Sequence, residues 1–288
     1  MLEETKATNF ELRVECQKLP KLDFFSESDP VVILSLKKDI RQAKWLEFGR
    51  TETIQDSPNP RFVNSFILHG DETHLRFDVF DVDSDSDKMD DHDYIGYFET
   101  SLQDILWSKN KTLTEDLINP ERKSSGRIVL MVDEIVNTPE NITFQFAVQN
   151  IEAQRNVFFF EINRPRKDGH LVVIYRSALC ENSNIIWEPF TVSLGTLSNG
   201  DYYQDFAIQL FRFSKHGGKV HSNLCYNLYP KSPSMLDHKL IGTAKTSVIE
   251  LKNNIDVTSR FLNIVGEWKE NGIEDIGYLF VKECQIST

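Results

Sequence analysis

The sequence contains no apolar run near the roughly 20 residues that a membrane-spanning helix needs. Its longest apolar runs, such as "VVILSL" and "NVFFFEI", have the length of a strand. Its opening, "MLEETKATNFELRVEC", is polar and acidic, unlike a secretory or transit signal. These absences predict a cytoplasmic protein. The four cysteines, Cys16, Cys180, Cys225 and Cys284, are scattered without a CxxC pair, which argues against a zinc site or a disulfide framework.

Motifs of the common enzyme classes are also missing. The chain has no Gly-rich phosphate loop, no G-x-S-x-G and no H-E-x-x-H. His69, His74 and His92 have no partners at metal-ligand spacing, so we interpret them as ordinary surface histidines. A net charge of −12 disfavours nucleic acid as a partner. The sequence therefore predicts a protein that is not an enzyme and binds no nucleic acid.

Period-two alternation of apolar and polar residues recurs along the chain. It is clear in "NFELRVEC", "HLRFDVFD", "GRIVLMVD", "NITFQFAV" and "FAIQLFRF", each with the length of a half-buried strand. Turn clusters such as "SPNP", "HGDE", "SNGD" and "KHGG" separate them. Helical periodicity is limited to short pieces near 102–107 and 247–253. This pattern predicts an all-β protein built from antiparallel sandwiches.

The pattern occurs twice. Phe10, Leu12 and Val14 correspond to Phe144, Phe146 and Val148, "YIGYFETSLQDIL" echoes "LIGTAKTSVIEL", and "GRIVLMV" parallels "GYLFVKE" in the same order. We therefore predict two tandem copies of one fold, 1–137 and 138–288, linked through "NTPEN". The first copy has 28 acidic and 17 basic residues, a net of −11, and the second has 16 and 15, a net of −1.

The acidic excess is concentrated in "DVFDVDSDSDKMDDHDYIG", 78–96, which holds eight aspartates and one lysine. One interpretation is a solvated acidic surface loop. An EF-hand fails, because Ser86 stands where its glycine belongs, His92 stands where its bidentate glutamate belongs, and strands flank the loop. A third interpretation adds Asp23 and Asp29 from another loop, since converging carboxylates provide the oxygen ligands that Ca²⁺ favours.

The segments "SDPVVIL", "NPRF" and "DVFDVDSD…DYIG" resemble the strand and loop signatures of a C2 domain. "KWLEFGRTETIQDSPNPRF" and the ten-residue step from Asp83 to Asp93 resemble the copine family, and the second half resembles the second copine C2 domain in "IIWEPFTVSLG" and "LIGTAKTSVIEL". The resemblance implies two eight-stranded antiparallel C2-type β-sandwiches. It places the calcium ligands of the first sandwich on Asp23, Asp29, Asp81, Asp83 and Asp93.

The second half departs from that pattern. It has no Asp-x₅-Asp-Pro loop, Ser214 and His216 align with the expected Asp-x-Asp, and Lys239 stands where the last aspartate belongs. We therefore expect a degenerate site that does not bind calcium. The expanded loop 215–238 is interpreted equally well as a drifted insertion or as a site for a protein partner. The printed chain has no Asp-x-Ser-x-Ser, the metal motif of the von Willebrand A domain that follows in copines, so that domain's roles are not carried over.

The resemblance implies a protein that docks on anionic phospholipid membranes when calcium rises and is cytoplasmic otherwise. Phe24, Phe25 and Met89 are candidates for insertion into the bilayer beside the ion, and the alternative for the two adjacent phenylalanines is a small satellite core. Lys37, Lys38, Arg41 and Lys44 are candidate headgroup contacts, although a solvated hairpin explains them better. The alternative function is a calcium-independent adaptor that binds protein through the second half.

Overall fold

The computed structural model describes residues 9–22, 27–37, 41, 44–70, 74–84, 86, 88–149, 157–180, 185–213, 238–253, 262–265 and 275–288. The chain divides into two compact units, the first containing Met1–Ile135 and the second containing Val136–Asn227 and Asp237–Thr288. All strand pairs in the described part of the chain are antiparallel.

The first unit is a sandwich of two four-stranded sheets, with strand orders β4-β1-β8-β7 and β3-β2-β5-β6. Its strands are β1 Asn9–Gln17, β2 Pro30–Lys37, β3 Leu46–Arg50, β4 Phe66–His69, β5 His74–Asp81, β6 Asp93–Ser101, β7 Thr112–Asp116 and β8 Arg127–Ile135. The period-two pattern appears directly in β5, where Leu75, Phe77 and Val79 are buried between the sheets and the residues between them are not. Burial of these inward side chains drives the packing of the sheets.

Strand direction gives this unit two distinct ends. Pro30, Asp81 and Asp93 are neighbours at one end of adjacent strands, since Pro30 pairs with Asp81 and Asp81 pairs with Asp93. We call this the acidic end. Lys37, His74 and Ser101 pair in the same way at the opposite end. At the known rise of a strand, the step from Pro30 to Lys37 spans about 23 Å.

The second unit repeats the pairing scheme of the first. Its strands are β9 Asn141–Gln149, β10 Phe158–Pro165, β11 Leu171–Arg176, β12 Ile185–Ile186, β13 Phe190–Ser193, β14 Phe206–Arg212, β15 Lys239–Thr246, β16 Leu262–Val265 and β17 Asp275–Ser287. β9 pairs with β17 as β1 does with β8, and β10 lies between β11 and β14 as β2 does between β3 and β5. Both β12 and β13 pair with β9 and together replace β4. Unlike the first unit, the second has a pair between β15 and β16, at Thr243 and Val265, which joins its nine described strands into one continuous sheet. With β12 and β13 taken as one position, the described part of each unit has eight strand positions, and the predicted pair of β-sandwiches is confirmed.

Three short helices accompany the strands, α1 Leu102–Trp107, α2 Leu194–Ser198 and α3 Val248–Asn253. Both predicted helical pieces are confirmed as α1 and α3, whereas α2 was not predicted. Ser101 begins α1 with a capping box, in which its hydroxyl accepts from the Asp104 backbone N–H and the Asp104 carboxylate accepts from the Ser101 backbone N–H. Within the part of the chain that the structure describes, no helix is long and apolar enough to cross a bilayer.

Candidate metal centre

Asp29 and Asp81 are joined by a hydrogen bond at the acidic end. The Asp29 backbone N–H donates to Asp81 Oδ1 at 2.6 Å, and the Val82 backbone N–H donates to the Asp29 carbonyl oxygen at 3.0 Å. Asp81 is 1% exposed, whereas Asp29 is half-buried. The loop before β2 is therefore fastened to the end of β5, which brings together two of the predicted ligands that lie far apart in sequence.

Asp83 and Asp93 lie at the two ends of the loop between β5 and β6: Asp83 closely follows β5, and Asp93 begins β6. The Asp93 backbone N–H donates to Asp83 Oδ2 at 3.0 Å, and both residues are exposed to solvent. Asp81 pairs with Asp93 across β5 and β6. The four predicted ligands that the structure describes therefore lie at neighbouring strand ends. Asp23, the fifth predicted ligand, lies outside the described residues.

The buried ring of His92 contacts the backbone of the loop between β5 and β6 at two positions. Its Nδ1 lies 3.3 Å from the Asp83 backbone nitrogen, and its Nε2 lies 2.8 Å from the Ser86 carbonyl oxygen. Nδ1 accepts from the Asp83 N–H, which leaves Nε2 to donate to the Ser86 carbonyl oxygen. The interpretation of His92 as a surface histidine is wrong, since it is 8% exposed. Its position between two aspartates concealed this from sequence analysis.

A third loop joins the acidic end at Asp56, a residue that the sequence analysis did not single out. The Asp56 backbone N–H donates to Asp29 Oδ1 at 2.8 Å, and the Ser57 N–H donates to the Ser28 carbonyl oxygen at 2.9 Å. Asp56 adopts a left-handed conformation with φ of 49°, which aspartate tolerates in turns. The turn cluster "SPNP" after it was the available signal.

The carboxylates at this end suit Ca²⁺ in chemical type, since Ca²⁺ takes hard oxygen ligands in flexible geometry. Within the described ranges, no three His, Cys, Asp or Glu residues are close enough to form a metal site. Asp23, Asp85 and Asp87 fall in the gaps between those ranges. The calcium ligand set of Asp23, Asp29, Asp81, Asp83 and Asp93 therefore stays a prediction.

Asp78 has a different role from the other aspartates of this stretch. It binds Arg76 with an Nη2–Oδ1 distance of 2.8 Å and accepts from the Tyr94 hydroxyl at 2.9 Å, while Arg76 also binds Glu99. Burial, followed by the negative charge of Asp78, raises the pKa of Tyr94 well above its ordinary value. Since Tyr94 directly follows Asp93, this network anchors the start of β6.

In the second unit, basic residues occupy the corresponding positions. Asp81 pairs with Asp93 in the first unit, and Arg212 pairs with Lys239 in the second. Both strand pairs have a register shift at the same distance before these residues. It lies between Val79 and Phe80 in the first unit and between Leu210 and Phe211 in the second. Arg212 therefore corresponds to Asp81, and the alignment of Ser214 with Asp81 is off by two residues. Ser214, His216 and all of loop 215–238 except His238 lie outside the described residues.

The predicted basic contacts are at the other end of the first unit. Lys37 ends β2, and its Nζ lies 4.3 Å from the centre of the Trp45 ring. Arg41 and Lys44 are exposed in the connection to β3, and Lys38 lies outside the described residues. These residues are separated from Pro30 by the length of β2, so the structure does not bring them together with the acidic end.

Of the predicted insertion residues, only Met89 is described. It begins a single 3-10 turn, Met89–Asp91, between Asp83 and Asp93, and it is half-buried. Phe24 and Phe25 lie outside the described residues.

A family model described as "C2 domain" matches residues 12–117. The chain is 29% identical to Copine-B of Dictyostelium discoideum over 96% of this chain and 50% of that protein. It is 27% identical to Copine-E of the same organism over 86% of this chain and 40% of that protein. The chain thus spans about half or less of the length of these relatives.

Solved structures give more distant matches. "BON1-C2B" matches at 16% identity with a TM-score of 0.39 and covers 52% of this chain and 92% of that one. The calcium-bound tandem C2 domains of Extended-Synaptotagmin 2 match at 12% identity with a TM-score of 0.33 and cover 98% of each chain. The chain is thus similar to these two copines over most of its length, and residues 12–117 match the C2 domain model.

Proposed function

We propose that this chain is a calcium-dependent phospholipid-binding protein that docks on anionic membranes through the acidic end of its first unit. The observation that carries the proposal is the hydrogen bond from the Asp29 N–H to Asp81 Oδ1, which links two acidic loops across 52 positions of sequence. The similarity to copines and the match to the C2 family model support it.

The described residues have separate roles in this proposal. Asp29 and Asp81 form the inner, less exposed part of the donor set, and Asp83 and Asp93 form its solvent side. The bonds that Asp83 makes with the His92 ring and with the Asp93 N–H hold the loop between β5 and β6 in shape before an ion arrives. Bound Ca²⁺ would offset the carboxylate charges and accept lipid phosphate oxygens as further ligands.

Without the ion, the same carboxylates oppose docking. Clustered aspartates repel the anionic surface of a cytoplasmic leaflet over about one Debye length, ~8 Å at physiological salt. Calcium therefore acts as a switch in this proposal: the chain is cytoplasmic at low calcium and membrane-bound at high calcium. Asp23 would complete the ligand set, and Phe24, Phe25 and Met89 would contact the acyl region.

The proposal is tested by sedimentation of the full chain with phosphatidylserine-containing vesicles, in calcium or in chelator. We expect binding in calcium only, and none to vesicles of phosphatidylcholine alone. Asp81→Asn should weaken binding, whereas Asp205→Asn, the same change at an exposed site in the second unit, should not. Equal binding in calcium and chelator would contradict the proposal.

A further inference from the structure

The connection between β7 and β8 runs to the acidic end of the first unit. Ile118 leaves β7 and bonds with β6: its N–H donates to the Tyr97 carbonyl oxygen at 2.8 Å, and the Tyr97 N–H donates back at 2.9 Å. Residues 119–124, "NPERKS", then form a turn that we call the basic turn. The sequence predicts a turn in this segment but did not mark its charges as contacts.

Asn119 fixes the basic turn beside a predicted calcium ligand. Its Nδ2 donates to the carbonyl oxygens of Ile95 at 2.9 Å and Tyr94 at 3.4 Å, the two residues that follow Asp93. Its Oδ1 accepts from the Glu121 N–H at 2.9 Å, and its carbonyl oxygen accepts from the Arg122 N–H at 3.2 Å. The turn is thus internally closed and tied to the start of β6.

The far side of the turn is fixed as well. Gly126, at φ of +81°, approaches the strand end of β1 so closely that a Cβ would lie 2.8 Å from the carbonyl oxygens of Gln17 and Lys18. The Leu117 N–H donates to the Gly126 carbonyl oxygen at 2.9 Å. Between these fixed points, Arg122 and Lys123 are exposed.

Two cationic side chains are therefore held at the end of the unit where the aspartates lie. The cations predicted from sequence as headgroup contacts, by contrast, lie at the opposite end, the length of β2 away. A membrane that meets the acidic end faces Arg122 and Lys123 and not Arg41 and Lys44. Their charge complements lipid phosphates, and basic residues near an anionic leaflet attract it.

We propose that Arg122 and Lys123 of the basic turn bind the anionic headgroups of the same bilayer that the acidic end contacts. This inference rests on the proposed function and adds to it an end-on orientation of the first unit. The carboxylates make the contact conditional on calcium, and the basic turn adds an attraction that is always present.

The test compares two charge-matched double variants of the full chain. Arg122→Gln with Lys123→Gln should weaken binding to phosphatidylserine vesicles at saturating calcium by roughly tenfold or more. Arg41→Gln with Lys44→Gln removes the same charge at the opposite end and should leave binding unchanged. Calcium affinity without lipid, measured by titration calorimetry, should not fall in either variant. Arg122→Lys with Lys123→Arg, which keeps both charges, should bind like the unmodified chain.

The following results would contradict the inference. If the Arg122 and Lys123 variant binds normally while the unmodified chain binds in calcium, the basic turn is no contact and the proposed function stands. A loss confined to the Arg41 and Lys44 variant would show that the unit docks on its side. An equal loss in both variants would show only a general charge effect. Failure of the unmodified chain to bind at all would overturn the proposed function and this inference together.

Discussion

Asp81 accepts a hydrogen bond from the backbone N–H of Asp29 at 2.6 Å, although 52 residues separate the two in sequence. One side chain therefore has two roles that substitutions can separate. Its charge belongs to the proposed donor set, and its Oδ1 satisfies a backbone donor of the neighbouring loop.

Asp81→Asn removes the charge and keeps an oxygen that can accept from Asp29. We expect calcium affinity to fall by roughly tenfold or more, while the melting temperature in chelator stays close to that of the unmodified chain. Asp81→Ala removes the acceptor as well and should cost about 1–3 kcal/mol of stability without calcium. Calorimetric calcium titration and thermal melts of both variants check this. Unchanged calcium affinity in Asp81→Asn would show that the carboxylate is structural only.

The second prediction concerns the division of work between the units. In the full chain, Asp81→Asn combined with Asp93→Asn should abolish the calcium-dependent rise in melting temperature, because a ligand stabilises only the fold that binds it. The second unit has Arg212 and Lys239 at the same ladder positions and should add no rise of its own. A remaining calcium shift in the double variant, followed by scanning calorimetry, would place an ion in the second unit.

A substitution at Gly96 tests how closely β6 packs against the residues that flank the basic turn. A Cβ at this position would lie 2.9 Å from the Ile118 carbonyl oxygen and 3.2 Å from Ser125 Cβ, so Gly96→Ala forces backbone apart. We expect a loss of about 1–3 kcal/mol, seen as a lower melting temperature in chelator. Gly70→Ala is the matched control, since its Cβ would meet its nearest neighbour, Phe10 Cε2, at 3.9 Å. Equal melting of the two variants would contradict the close packing.

The second unit has a buried ion pair between Glu161 and Arg176, with an Oε1–Nε distance of 2.6 Å and side chains 0% and 3% exposed. Glu161→Gln removes the negative charge of this buried pair, which should cost about 3–5 kcal/mol. Glu47→Gln, in the exposed pair with Arg50, should cost less than about 1 kcal/mol. Denaturant melts of both variants make the comparison, and similar losses would count against it.

The last prediction concerns alkaline pH. Tyr175 stacks on Phe190 with ring centres 3.9 Å apart, and burial raises its pKa to about 12. Because the fold favours the neutral phenol, this contribution to stability is complete below the ordinary pKa of 10.0 and is lost as pH rises towards about 12. Phenolate absorbance should show a late-titrating component that is smaller by one tyrosine in Tyr175→Phe, since Tyr94 also titrates late. A titration without that late component would contradict the raised pKa.

Local patterns in the sequence predicted the strands and the duplication. Period-two alternation identified β5, β8 and β9, and the echo of "YIGYFETSLQDIL" in "LIGTAKTSVIEL" correctly matched β6 and α1 to β15 and α3. Such signals are local, since each strand buries its own alternate side chains. The proximity of Asp29 to Asp81 followed from the sandwich, although spacing alone does not show it.

Features that depend on distant backbone atoms were not predictable. His92 looks like an exposed histidine until its ring is seen between the Asp83 N–H and the Ser86 carbonyl. Asn119 lies in an ordinary turn sequence, and only its bonds to Tyr94 and Ile95 place the basic turn. The two-residue error in aligning Ser214 arose because the match to Asp81 is set by strand pairing, which gives Arg212 opposite Lys239, and not by residue type.

The exchange of Asp81 and Asp93 for Arg212 and Lys239 also has a consequence for the charge distribution of the molecule. The acidic excess of −11 up to Asn137 and the near balance of −1 after it make the chain electrically lopsided. Each divalent cation bound at Asp81 and Asp93 would offset two of those negative charges. Arg212 and Lys239 are positively charged and would attract no cation. Loading with ions would therefore reduce the difference in net charge between the halves, a change that electrophoretic mobility would register without any membrane present.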